Sequence, residues 1–194
     1  MKVVGIDLTG TEKRASGFCV LETKTMKVQT SLLYTDEEIM KKIQEIKPRV
    51  VAIDAPLTLP KGRKSIEERS NSHLRNCDKE LLKRGIKFFP ITLGPMRKLT
   101  KRGMKLKEIL EKKGFKVIEV YPGGAQDLLG IPRKQKGLEK LKSGLEKLGI
   151  KGLSHKMNDD ELDAVTCAYI AKLFLDGDYE AFGKEDGTII MPKV

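Results

Sequence analysis

The chain has no tryptophan and few aromatics, 5% in all, so its core has to be built from Leu, Ile and Val. No apolar run reaches the ~18 residues of a membrane span. The opening residues lack a signal-peptide pattern, and a cytoplasmic protein with no membrane partner is expected. Cys19, Cys77 and Cys167 have no CxxC spacing. That excludes a zinc ribbon or a disulfide framework and leaves small buried residues. With only His73 and His155, a histidine-rich metal centre is excluded too, so any metal should be hard and oxygen-bound. There is no Walker G-x-x-x-x-G-K-[ST] run for a phosphate loop. Acidic residues are in deficit, 27 against 38 Lys and Arg, for a formal net charge of +11. An excess of that size favours an anionic partner, nucleic acid first. The same charge, rich in Lys and Glu, is also the solvated surface of a thermophile protein.

Two stretches share V-V-x-I-D. Val3 to Gly10 reads VVGIDLTG and Val50 to Pro60 reads VVAIDAPLTLP. Each is a short apolar run of the kind buried on both faces of a sheet, and each ends in a carboxylate, Asp7 or Asp54, that needs a cation, a donor or water. Between them lie two further strands, 17–22 and 27–33, and a helix through Lys47 capped by Thr35 or Asp36, with Ile39, Ile43 and Ile46 on one face. A strand, helix, strand order implies a parallel crossover, so the two acidic strands should lie side by side with their carboxylates at one end.

Residues 61–98 interrupt this order. They read as a basic insertion, helical around Ser65 to Arg84, packed over the sheet end and anchored by Phe88 and Phe89. A basic amphipathic helix follows over Thr100 to Lys113, then a fifth strand, FKVIEV, with Glu119 near its end. A short helix over Pro122 to Leu129 and a packing helix over Lys136 to Leu148 come next. Asn158 with Glu161 makes a capping box for the last long helix. There the small residues Ala164, Cys167, Ala168 and Ala171 form a stripe, and Asp160 and Asp163 share the inward face. A short strand is expected at Thr188 to Met191. No aromatic stacking platform is visible in the sequence, so single-strand preference has no support.

This order, with acids ending the first and fourth strands and another on the last helix, resembles the ribonuclease H fold, and Asp7, Asp54 and Asp163 fall at the matching positions. The D-x-x-D-A run at Asp160 to Ala164 resembles the corresponding helix of Holliday-junction resolvases. More closely, GIDLTG, AIDAPLTLP, the R-x-C-D of Arg75 to Asp78, EVYPGG and DDELDAVTCAYIA resemble the domain of unknown function 429 family, predicted ribonuclease H-like nucleases, over nearly the whole chain. The resemblance implies one α/β domain, a five-stranded mixed sheet in the order 3-2-1-4-5 flanked by helices, and a nuclease acting on DNA or RNA. Independently, clustered carboxylates repel one another, and two Mg²⁺ or Mn²⁺ ions would relieve that repulsion while activating water on a phosphodiester. Asp7, Asp54 and Asp163 are the expected metal ligands, Asp160 and Glu119 further catalytic candidates, and Thr9, Arg75 and Asp78 candidate substrate contacts.

Each residue also has a plainer role. Asp7 and Asp54 can open turns, Asp160 suits a helix N-terminus, Glu119 can be a solvated strand end, and Arg75 with Asp78 can form an intrahelical pair. Two other functions compete. One is a non-catalytic nucleic-acid- or partner-binding protein on the same fold. The other is an actin-like phosphotransferase, suggested by GIDLTGT but requiring a second lobe for which the chain is too short. Oligomeric state stays open, a homodimer included.

Overall fold

The computed structural model describes residues 1–194, and seven strands join in one mixed sheet. The strands are β1 (Lys2–Asp7), β2 (Ser16–Glu22), β3 (Lys27–Leu33), β4 (Val51–Asp54), β5 (Val117–Val120), β6 (Tyr179–Phe182) and β7 (Ile189–Pro192). Their spatial order is β3-β2-β1-β4-β5-β7-β6. The expected 3-2-1-4-5 order is present and parallel from β1 through β4 to β5. The last hairpin extends it: β7 pairs with β5 in parallel and β6 closes the edge antiparallel. The strand expected at Thr188 to Met191 is thus a sheet member, and β6 was not foreseen.

The helices are α1 (Asp36–Ile46), α2 (Asn76–Lys83), α3 (Gly94–Lys112), α4 (Pro122–Leu128), α5 (Leu138–Lys147) and α6 (Asp159–Asp176), with a 3₁₀ turn at Lys134–Lys136. Thr35 closes a capping box with Glu38 at the start of α1, and Asn158 closes one with Glu161 at the start of α6. The sheet separates two apolar layers. Val4, Ile6, Val51, Ile53 and Val117 face α1 and α3, while Val3, Ala52, Ile118 and Val120 face α4, α5 and α6. No helix is long and apolar enough to cross a membrane.

What positions the site is the seat of α6. A Cβ on Gly5 would lie 2.2 Å from the Ala164 carbonyl oxygen and the Ala168 amide nitrogen, and one on Gly17 would lie 2.0 Å from the Asp160 carbonyl oxygen. Two glycines on neighbouring strands, Gly5 under the small-residue stripe of α6 and Gly17 under its first turn, let helix backbone rest directly on sheet backbone. Side chains alternate along a strand, so Gly5 and Asp7 share a face. The helix that touches Gly5 therefore presents its N-terminal acids to Asp7.

The insertion is less helical than the sequence suggests. Helix is confined to α2 and the first turn of α3, and the rest is irregular chain wrapped around side chains. Arg63 is buried and donates to the carbonyls of Ser65, Ile66, Glu68 and Ser72, filling the space a helix would have occupied. Of the expected anchor pair, Phe88 packs against the core, but Phe89 is 69% exposed.

Candidate active site

Asp7 and Asp54 are register partners on adjacent parallel strands, so both carboxylates leave the sheet at the same end and on the same face. Asp163, one turn into α6 and buried, closes the third side. All three line one cavity of about 230 Å³. Burial raises the pKa of Asp7 well above the ordinary carboxylate value, and the charges of Asp54 and Asp163 raise it further. Burial and then Asp163 do the same to Asp54. Neither accepts a hydrogen bond from the protein that would favour its anion. Asp163 differs: Gln126 Nε2 donates to its Oδ1 at 2.8 Å, and Lys134 Nζ sits 2.9 Å from its Oδ2. Gln126 is itself buried and fixed by Thr166 Oγ1 at 3.1 Å.

Lys134, in the 3₁₀ turn, also reaches Asp159 at 3.2 Å. Burial opposes its charge, yet Asp163, Asp7 and Asp159 outweigh this and hold its pKa above the ordinary lysine value. Sequence reading missed both Lys134 and Gln126. Lys134 sits in PRKQK, a basic run like many solvated ones. Gln126 is one polar residue in a short helix, with no pattern around it that marks it. A Cβ on Gly123 would stand 3.0 Å from the Arg133 guanidinium and one on Gly124 2.8 Å from the Tyr121 ring, so these glycines make room for side chains at the cavity wall.

Of the other sequence candidates, Glu119, Arg75 and Asp78 line the same cavity, while Asp160 and Thr9 are not among its lining residues. Asp160 is half-buried; burial and then Asp159 raise its pKa. Glu119 pairs in register with Ile53, and therefore points to the opposite face of the sheet from Asp54. Its oxygens accept from Arg75 at 2.7 Å each and from the Leu57 amide at 2.7 Å. Arg75 is 1% exposed, and its remaining donors go to Asp78 at 2.9 and 3.1 Å and to Thr58 at 3.1 Å. The R-x-C-D residues thus pair with each other and with Glu119 at the cavity's edge. Thr9 is outside the cavity. Its hydroxyl lies against the Thr11 and Arg14 carbonyls and Ser16 Oγ, which shapes the turn after β1.

No three His, Cys, Asp or Glu side chains stand close enough to hold a metal ion between them. The donor chemistry still fits a hard divalent cation: two carboxylates without protein donors face a third across an open cavity, and their repulsion is what such an ion relieves. Lys134 stands where part of that positive charge would go.

Comparison with solved structures finds RuvC of Thermus thermophilus at 16% identity and a TM-score of 0.50, covering 91% of this chain and 97% of that one. The same protein in complex with a Holliday junction substrate gives 16% identity and a TM-score of 0.49 over 91% and 96%. At this identity the likeness is one of fold, and the fold is ribonuclease H-like. Curated proteins give no match. The family described as "Protein of unknown function (DUF429)" matches over residues 5–188.

Proposed function

We propose that this chain, which belongs to the DUF429 family of proteins of unknown function, is a divalent-metal-dependent nuclease. The observation that carries the reading is the placement of Asp7 and Asp54 as register partners on adjacent parallel strands, lining one open cavity with Asp163 and taking no hydrogen bond from the protein; the raised pKa that burial and mutual charge give them agrees with it. Asp7 and Asp54 would supply the carboxylates to Mg²⁺ or Mn²⁺, with Asp163 facing the ion across the cavity and water completing its shell; the bound ion would lower the pKa of water and stabilise the leaving oxygen of a phosphodiester. Gln126 fixes one oxygen of Asp163 and so its rotamer. Asp160, whose charge is felt at Asp7 and whose own pKa is raised, would take or relay a proton. In the hydrolysis a water oxygen forms the new bond to phosphorus, the bond to the sugar oxygen breaks, the water's proton passes to carboxylate or solvent, and the leaving oxygen takes a proton. Arg75, Asp78 and Glu119 act as positioning residues for the cavity edge. The net charge of +11 supports nucleic acid, DNA or RNA, as the substrate.

One observation favours a second reading. Lys134 already neutralises part of the cluster, as it would in a protein that binds nucleic acid without cutting it. Labelled DNA and RNA, single-stranded, duplex and branched, incubated with Mn²⁺ or with chelator, separate the two. The nuclease reading expects Mn²⁺-dependent cleavage that Asp7→Asn and Asp163→Asn abolish. Binding without cleavage, and no calorimetric signal for divalent ions at millimolar levels, would leave the second reading standing.

A further inference from the structure

The cavity over the acids has a wall that the hydrolysis does not use. Phe88, Phe89, Ile91, Met96 and Leu99 line the cavity together with the three carboxylates. Phe89 is 69% exposed, in a segment where Leu82 and Leu93 are also exposed. A solvent-facing phenylalanine beside three carboxylates has no packing role that explains it. The segment is held from below: the Tyr121 hydroxyl donates to the Lys87 carbonyl at 2.6 Å, and Arg133 lies over the Tyr121 ring at 5.6 Å from its centroid while donating to the same hydroxyl at 3.2 Å. The backbone entering the Phe88–Phe89 step is thus tied to the element that carries Gln126.

We propose that this wall is a binding site for an unpaired nucleobase, stacked on Phe89 and lodged against Phe88 and Ile91, with its sugar–phosphate directed at Asp7, Asp54 and Asp163. The proposal rests on the nuclease reading for its ligand class and names the form of nucleic acid. In a paired, stacked duplex the apolar base faces are covered. They become available only where a nucleotide is single-stranded, bulged or turned out of the stack. A cavity of about 230 Å³ takes one ring system of this kind, with charged floor for the phosphate side and apolar wall for the base. Sequence-tolerant stacking of this sort contributes about 1–3 kcal/mol per base.

The test measures binding in chelator, so that cleavage is not needed. A labelled duplex, the same duplex with one bulged base, and the single strand are titrated at one salt concentration. Bulged and single-stranded probes should bind about tenfold more tightly than the duplex, the ratio for ~1.4 kcal/mol of stacking. Phe89→Ala should shrink that ratio to under about twofold; because Phe89 is exposed, the fold should tolerate the change. The chain contains no tryptophan, so Phe89→Trp supplies a single reporter, whose emission should be quenched by the bulged probe and not by the duplex. Equal affinity for all three probes, or a preference that survives Phe89→Ala, overturns the base site. If Mn²⁺-dependent cleavage lost in Asp7→Asn persists in that case, the nuclease reading stands without it. Failure of every probe to bind in chelator also overturns the base site, and the nuclease reading is then decided by Mn²⁺-dependent cleavage alone.

Discussion

Two groups of acids stand at the same end of the same sheet, and their partners make them opposites. Glu119 and Asp78 share the guanidinium of Arg75, which donates to both through short hydrogen bonds in a buried site. Asp7 and Asp54 face each other and Asp163 with no protein donor of their own, and burial and mutual repulsion raise their pKa values. In sequence the two groups look alike: an acid at or near the end of an apolar strand. A satisfied carboxylate has a structural explanation in its partner. An unsatisfied one is under strain, and such strain persists where something outside the protein relieves it.

The largest way to break the contrast is to remove its satisfied side. Arg75→Met leaves Glu119 and Asp78 buried and uncompensated, and urea denaturation should show a loss of about 3–5 kcal/mol. Arg75→Lys keeps the charge but not the planar fork that reaches both carboxylates, and should fall in between. A cost below 1 kcal/mol for Arg75→Met would mean that the network is not what holds this corner.

The opposite sign is expected on the strained side. Asp54→Asn keeps the shape and removes one repelling charge, so in chelator it should match or exceed wild-type stability, by ~1–2 kcal/mol if the repulsion is partly screened, while Mn²⁺-dependent cleavage falls to background. The pH dependence follows. Because the folded-state pKa values of Asp7 and Asp54 are raised, the native state keeps protons that the unfolded chain has already released. Stability should therefore fall as pH rises from the ordinary carboxylate value through the raised ones, by at most ~1.4 kcal/mol per pH unit for each proton. Glu38 and Glu67, whose pKa values are lowered by the Thr35 amide and by Arg97, give the opposite slope in a lower window. Asp54→Asn should flatten the upper slope. A destabilised variant that still cuts would return Asp54 to the role of a turn residue before Ala55-Pro56.

Much of this contrast was legible before the structure, and the part that was not has a physical cause. The V-V-x-I-D runs disclosed two buried strands, the crossover placed them in parallel, and the Asn158 capping box began α6 where it does begin. Asp163 could be placed because the small-residue stripe fixes which face of α6 is inward. Glu119 lines the cavity with the others, but a sequence shows that a strand ends in an acid and not its register, so it could not show that pairing with Ile53 turns Glu119 to the other face, where Arg75 takes its charge. Its partner Arg75 is 44 residues distant, across the irregular insertion. The cavity's aromatic wall was invisible for the same reason, since Phe88, Phe89 and Tyr121 come to one cavity from distant parts of the chain, joined by the Tyr121 contact to Lys87.

The smallest effect on stability is expected at Lys134, and it bears most directly on the cation. Its ammonium joins Asp163 to Asp159 and is the one positive charge that lowers the pKa of both Asp7 and Asp54. Lys134→Met keeps the length of the side chain and removes the charge. In chelator the cost should be only ~0.2–1 kcal/mol, since the lysine is about one-third exposed and such pairs are screened. With the internal cation gone, the cluster is more negative, so Mg²⁺ should bind the variant several-fold more tightly in calorimetry and raise its melting temperature more than that of wild type. Cleavage need not rise with affinity, because an ammonium beside the substrate can also stabilise phosphate charge. A variant that binds Mg²⁺ no better than wild type would show that lysine and metal do not compete for the same carboxylates, and would move the cation site away from Asp163.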